Sequence, residues 1–171
     1  FWKNQGTRIT GNLTHWIDLC NYWLEDEIPV EITMLKSTTK DETFTTSILY
    51  SKGSLANFTV SDKGNPLRGV QEKIEIRTEK ESYFIDDYLK SYIIDNNGRK
   101  RNYNSIIRRK GHDAMYKHVV NLYQKKTESR YSVRDLIKTS LTTYYMSEMF
   151  KNDTNHFKCE ETIESTLNEF D

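Results

Sequence analysis

The sequence predicts an α+β fold, with helices packed on one face of an antiparallel β-sheet meander, and three observations carry that prediction. Near the start, Leu13, Ile17, Cys20 and Leu24 recur at helical spacing. Through the middle, from residue 30 to residue 105, apolar residues alternate at period two between turn signals. After Gly111 the helical period returns. Helix, long meander, two helices is the order of a domain whose helices are segregated to one side of an antiparallel sheet.

The first stretch, Gly6 to Glu25, reads GTRITGNLTHWIDLCNYWLE. Its alternating opening, Thr7 to Thr10, predicts a strand end or turn, with Asn12 as the N-cap of the helix that follows. His15 then lies in the first helical turn, off the apolar stripe, with Asp18 and Tyr22 near its own face. Pro29 ends the helical pattern. Val30 to Thr38 alternates as a half-buried strand, and Phe44 to Tyr50 repeats the pattern. Ser51-Lys52-Gly53-Ser54 has the composition of a hairpin turn, returning along Leu55 to Ser61, and Asp62 to Pro66 reads as a loop.

Val70, Ile74 and Ile76 oppose Gln71, Lys73, Glu75 and Arg77, which predicts a strand with one face to a core and the other to water or a partner. Ser82 to Asp86 and Tyr88 to Ile94 extend the sheet, and Asn97-Gly98 suits a tight hairpin into Arg99 to Ser105. Met115, Val119 and Leu122 mark a helix opened at Gly111 and closed near Lys125-Lys126, cations that suit its negative pole. Ser132 with Asp135 resembles a capping box. Behind it Val133, Leu136, Ile137, Ser140, Leu141, Tyr144 and Tyr145 predict one apolar stripe. Thr162 to Phe170 is open between a short helix, a strand and a loose end.

Residues 1–171 are read as a single domain, long enough to bury a core. A chain that opens on Phe1, with its first methionine at Met34, is expected to be a piece of a longer protein. Lys plus Arg is 25 and Asp plus Glu is 25, so the basic excess of a nucleic-acid surface is missing and no nucleic-acid partner is expected. No apolar run reaches the roughly 18 residues of a membrane span. The two cysteines, Cys20 and Cys159, lie far apart, and Cys20 falls on the apolar stripe; this fits a reducing, cytoplasmic setting better than a disulfide framework. The sequons at Asn12, Asn57 and Asn152 are read as chance matches in a chain rich in Asn, Ser and Thr.

His15 is the leading candidate for chemistry, because imidazole is the side chain that exchanges a proton near neutral pH. The competing reading is a helix histidine bonded to Asp18 or to a backbone carbonyl. Arg8 offers a planar fork of donors to an anionic group, or is a plain surface residue. Lys110 and His112 flank Gly111 at a helix start, where free N–H groups favour an anion. Trp16 and Tyr103 are aromatic surfaces of the kind that line sugar pockets, and of the kind that simply pack. No metal site is expected: His112 and His118 lie on different faces of one helix, and His15 with Asp18 is only a pair. There is no P-loop, Gly-x-Ser-x-Gly elbow or Cys-x-x-Cys, and no Gly-x-Gly-x-x-Gly fingerprint, so this chain is expected to hold no dinucleotide of its own.

Gly6, Arg8, Gly11, His15, Trp16, Ile17 and Asp18, in that order, resemble the motif that opens the C-terminal domain of the Gfo/Idh/MocA family, named for glucose-fructose oxidoreductase and inositol dehydrogenase. Lys110-Gly111-His112, and Tyr131-Ser132-Val133 before a longer helix, resemble the end of the same domain. The resemblance spans roughly residues 6 to 150. It implies the α+β architecture, a sugar-like substrate and NAD or NADP held by an N-terminal Rossmann domain that is absent from this chain. It also implies a homo-oligomer formed through the free sheet face. His15 takes the place of the acid/base or orienting residue beside substrate, and Arg8, Asn12, Trp16, Tyr103, Lys110 and His112 become candidate substrate contacts. A lysine of the absent half would complete the chemistry, so the isolated chain is expected to be inactive. Many relatives carry Asp one turn before the histidine; Gly11 stands there, followed by Asn12, whose amide does not titrate. That departure opens a second reading, a non-catalytic binding or association module, and a third is an unrelated α+β protein.

Overall fold

The element order of the computed structural model is a π-helical turn (Ile9–Leu13), α1 (Thr14–Trp23), β1 (Pro29–Lys36), β2 (Phe44–Tyr50), β3 (Leu55–Val60), β4 (Lys73–Arg77), β5 (Glu81–Asp86), β6 (Lys90–Asp95), β7 (Lys100–Asn104), α2 (His112–Tyr123), α3 (Val133–Lys151), β8 (His156–Lys158) and α4 (Glu160–Asn168). Residues 7–38, 42–61, 63, 70–129 and 131–170 are described; Gly6 of the opening motif and most of the expected loop at 62–66 lie outside them. The chain divides into two compact units, 1–64 with 130–171, and 65–129. The α+β class and the antiparallel pairing hold. The expected meander, however, is two four-stranded sheets, ordered β3-β2-β1-β8 and β4-β5-β6-β7.

In the first unit, alternation does what the sequence implies. Ile32 pairs with Ile48 and Met34 with Thr46 on the inward face of the sheet, while Thr33 with Ser47 and Leu35 with Thr45 face away. Ile9, Leu13, Ile17, Ile32, Phe44, Ile48, Met146, Ile163 and Leu167 are all buried to within 2%. Each such side chain contributes about 1.5–3 kcal/mol through lost apolar exposure. The β2–β3 hairpin turns at Gly53, whose φ of 93° is a conformation glycine adopts without strain. Glu27 braces it, accepting from the Ser54 hydroxyl at 2.6 Å and the Lys52 N–H at 3.1 Å.

Four expectations change. Arg8 to Thr10 is helical rather than extended, because Ile9 and Leu13, four apart, both enter the core. Asn12 is therefore inside a helix and not its cap; Thr7 and Thr10 instead exchange side-chain bonds with each other's N–H groups, at 3.1 and 3.5 Å, in the manner of a capping box. The apolar stripe expected on α3 is only in part its buried face: Ile137, Leu141 and Tyr145 pack against the core, but Val133, Leu136 and Tyr144 are 59, 56 and 56% exposed, and Lys138, Thr139, Thr142, Thr143, Met146, Ser147 and Met149 point inward. The threonines and Lys138 find partners there, whereas the buried Ser147 hydroxyl has none among the described residues. Thr142 donates to the Lys138 carbonyl at 2.7 Å, and the Lys138 ammonium donates to the Glu25 carbonyl at 3.1 Å beyond the end of α1. Finally, β8 adds an unexpected edge to β1, with Ile32 opposite Phe157, and the open C-terminal segment is helical because Cys159, Ile163 and Leu167 recur every four residues into the core.

The capping box of α3 is complete: Ser132 Oγ accepts from the Asp135 N–H at 3.1 Å, and Asp135 Oδ2 accepts from the Ser132 N–H at 3.0 Å. Lys36 closes the other end of α3, donating to the Phe150 carbonyl at 2.6 Å and pairing with Asp153.

In the second unit β5 and β6 form a tight hairpin, so the strand expected from Tyr88 begins at Lys90; Asp87 and Tyr88 carry the turn with φ of 51° and 58°. The β6–β7 hairpin turns at Gly98, φ 76°, with Asp95 Oδ1 accepting from the N–H groups of Asn97 and Arg99. Phe84 and Tyr92 stack across β5 and β6 with centroids 4.6 Å apart, and Lys100 lies over Tyr92 at 3.7 Å. Beyond β7, Arg108 pairs with Asp87, and Lys110 with Glu72 at 2.7 Å.

Candidate functional site

The start of α1 is shaped by the π-helical turn before it, a local widening common where helices carry function. Thr14 stabilises the join: its hydroxyl donates to the Ile9 carbonyl at 3.0 Å and lies 3.4 Å from the Thr143 hydroxyl. Because Leu13 and Ile17 are driven into the core, the opposite side of this turn must face outward. It presents Gly11, Asn12 and His15, all exposed. Neither the Asn12 amide nor the His15 imidazole has a hydrogen-bond partner among the described residues.

Asp18 does not pair with His15. Its Oδ1 accepts from the Thr139 hydroxyl at 3.0 Å and its Oδ2 from the Tyr131 hydroxyl at 2.9 Å, so both oxygens are held from the side of α3. Behind Thr139 the bonds continue inward: Asn21 Nδ2 donates to Thr139 Oγ1 at 3.1 Å, and the Tyr50 hydroxyl donates to Asn21 Oδ1 at 3.1 Å. Tyr131 is steered by stacking on Tyr22, with centroids 5.7 Å apart. Burial and the bond to Asp18 push its phenol up to about 12. Tyr50, buried in the core, is pushed far above the ordinary phenol range by desolvation. Sequence reading placed Asp18 and Tyr22 near His15 but missed Asn21, Tyr50 and Thr139; Asn21, three residues after Asp18 and beside the apolar stripe, was the available signal.

The other residues marked from the sequence are placed as follows. Arg8 enters the π-helical turn half-buried, its N–H donating to Glu42 Oε2 at 2.9 Å. Trp16 is half-buried and packs against the core. These two belong with Asn12 and His15 to the first unit, whereas Tyr103, Lys110 and His112 belong to the second. Tyr103 is 53% exposed on β7, and its carbonyl accepts from Ser91 Oγ at 2.7 Å. The Lys110 ammonium is matched by Glu72 and lies 5.8 Å from the centre of the Tyr88 ring. Gly111, at φ 80°, turns the chain into α2, where His112 is exposed.

Among the described residues no group of three or more His, Cys, Asp or Glu could hold a metal ion. Burial pushes the Cys20 thiol up to about 11 and that of Cys159 to about 12, which keeps both as inert thiols. No described helix is long and apolar enough to cross a membrane. A shallow depression of about 250 Å³ is lined by Trp23, Leu24, Glu25, Asp26, Glu27 and Lys52, at the end of α1 remote from His15.

No family model matches the chain, and no curated protein matches it by sequence. Solved structures do match in fold. An oxidoreductase from Agrobacterium radiobacter, solved in complex with NAD+, L-tartaric acid and magnesium, is similar at TM-score 0.67 and 15% identity, over 90% of this chain and 49% of that one. A protein described as an oxidoreductase from Thermotoga maritima is similar at TM-score 0.65 and 12% identity, over 92% of this chain and 49% of that one. A third, described as an NADPH-dependent oxidoreductase from Desulfitobacterium hafniense, is similar at TM-score 0.57 and 13% identity, over 91% and 49%. The chain thus spans about half the length of the solved chains it matches, and at these identities the likeness is one of fold.

Proposed function

We propose that this chain is the C-terminal, substrate-binding half of an NAD(P)-dependent oxidoreductase of the Gfo/Idh/MocA type, acting on a hydroxyl or keto carbon of a sugar, nucleotide-sugar or cyclitol. The observation that carries the reading is His15: an exposed imidazole, without a hydrogen-bond partner among the described residues, at the head of α1 in a fold shared with halves of oxidoreductases. Such a group can take the hydroxyl proton as hydride leaves the carbon, or return it in the reverse direction. The dinucleotide would be held by the other half, since this chain lacks the glycine fingerprint. Asn12, exposed within one turn of His15, would bond substrate hydroxyls without titrating. Arg8 and Trp16, and in the second unit Tyr103, Lys110 and His112, remain candidate contacts. The reading places the protein in the cytoplasm as a homo-oligomer. Leu35, Leu49 and Leu55, 68, 37 and 61% exposed on the outward face of the first sheet, support association through that face.

The test is turnover in the intact parent and in its His15→Asn variant, with NAD+ or NADP+ and a panel of aldoses, nucleotide-sugars and cyclitols. A fall in kcat/KM of at least ~10²-fold is expected for an acid/base group. Unchanged turnover would move the assignment to a non-catalytic ligand-binding or association module. Gly11 and Asn12, where many relatives carry an acid, favour that second reading.

A further inference from the structure

An aspartate three residues after a histidine on one helix is within ordinary reach of it, and such pairs form readily at this spacing. Here the pair is absent although both residues are present. We propose that α3 sequesters Asp18 from His15, making Asp18, Thr139 and Tyr131 a positioning device that leaves the His15 ring unpaired and turned toward substrate.

The directions of the hydrogen bonds support this. Thr139 has one hydroxyl proton, and its oxygen already accepts from Asn21 Nδ2, so that proton is committed to Asp18 Oδ1. Asn21 in turn accepts from the Tyr50 hydroxyl, so three donors line up from the core toward one carboxylate. Asn21 and Tyr50 are each 1% exposed and Thr139 is 6% exposed, so the chain of donors is shielded from competing water. The second oxygen is taken by Tyr131, held in place by its stack on Tyr22. Hydrogen bonds to an ionised acceptor are roughly twice as strong as neutral ones. Turning Asp18 toward His15 would break two of them and strand the Thr139 donor. A histidine tied to a neighbouring carboxylate would have to break that bond before its ring could reorient toward a substrate hydroxyl. The helix that supplies Thr139, with the lead-in that supplies Tyr131, therefore sets the freedom of a residue that neither touches through any hydrogen bond.

This inference rests on the reading of His15 as the substrate-facing group, but its test reads the ring and not turnover, so the two can fail separately. Long-range proton–nitrogen spectra of the 15N-histidine-labelled full chain, at about pH 8, well above the ordinary imidazole midpoint of roughly 6.5, report the tautomer and bonding of His15. Its signals are identified by their loss in His15→Asn. Asp18→Asn alone should leave the His15 ring signals in place. Thr139→Val with Tyr131→Phe should move them toward a carboxylate-bound ring, and adding Asp18→Asn should move them back. Thr139→Ser, which keeps the donor, should match the wild type and separates loss of the bond from loss of the fold. The proposal is overturned if Asp18→Asn alone displaces the His15 signals as far as it does in the doubly substituted chain. It is equally overturned if the doubly substituted chain folds and leaves them unmoved.

Discussion

The Tyr131 hydroxyl donates to Asp18 Oδ2 at 2.9 Å across 113 residues of sequence, joining the lead-in of α3 to the first helix. One consequence is energetic. Tyr131→Phe removes a single charge-assisted bond at a site 40% exposed, and the loss should be about 0.5–1.5 kcal/mol. Urea unfolding would show it as a lower midpoint at unchanged slope.

Thr139 lies deeper in the same network, and its removal should cost more. Thr139→Val keeps the shape but leaves Asn21 Nδ2 and Asp18 Oδ1 each short of a partner. A loss of about 1–3 kcal/mol is expected by the same unfolding measurement, against a smaller one for Thr139→Ser. Equal losses for the two would remove the network from the account of α1–α3 packing.

The core prediction concerns Ile17, fully buried one helical turn from Leu13. Ile17→Ala should destabilise by about 2–5 kcal/mol, the range for a cavity left by a buried aliphatic side chain. A value under 1 kcal/mol would mean that α1 does not bury Ile17 in the core of the first unit.

Gly11 tests the departure from the family motif. A Cβ there meets nothing within 4 Å, so both Gly11→Ala and Gly11→Asp should fold. Ala should stabilise by roughly 0.5–1 kcal/mol, since glycine loses more backbone freedom on entering a helix. A drop in melting temperature for Gly11→Ala would show that this turn requires glycine.

The capping box predicts a pH dependence. Burial pushes the Asp135 carboxyl up, but the hydroxyl and N–H of Ser132, with Lys138, overcome it and hold it below its ordinary value of 3.8. A depressed folded-state value means the contribution is fully present above 3.8 and fades as pH falls through the lower folded value. The stability gap between wild type and Asp135→Asn should therefore narrow below about pH 4. A gap that is constant with pH would show that the Asp135 charge adds nothing to the cap.

The sequence by itself determined the α+β class, the first three strands, the hairpin at Gly53, the capping box at Ser132 and the outward placing of His15. These are local matters: periods of 3.6 and 2 follow from backbone geometry, and turns and caps from single residues. Only the tertiary structure decided which face of α3 is buried, since its threonines and Lys138 are acceptable inside solely because partners wait there: Asp18, Thr14 and the Glu25 carbonyl. It likewise decided that the strands form two sheets, that β8 completes the first, and that Arg8 to Thr10 is helical. Asp18 shows why. Three residues from His15 it looked like a partner, yet Thr139, 121 residues away, holds it. A carboxylate turns to the donors that the fold brings to it, and those lie beyond any local pattern.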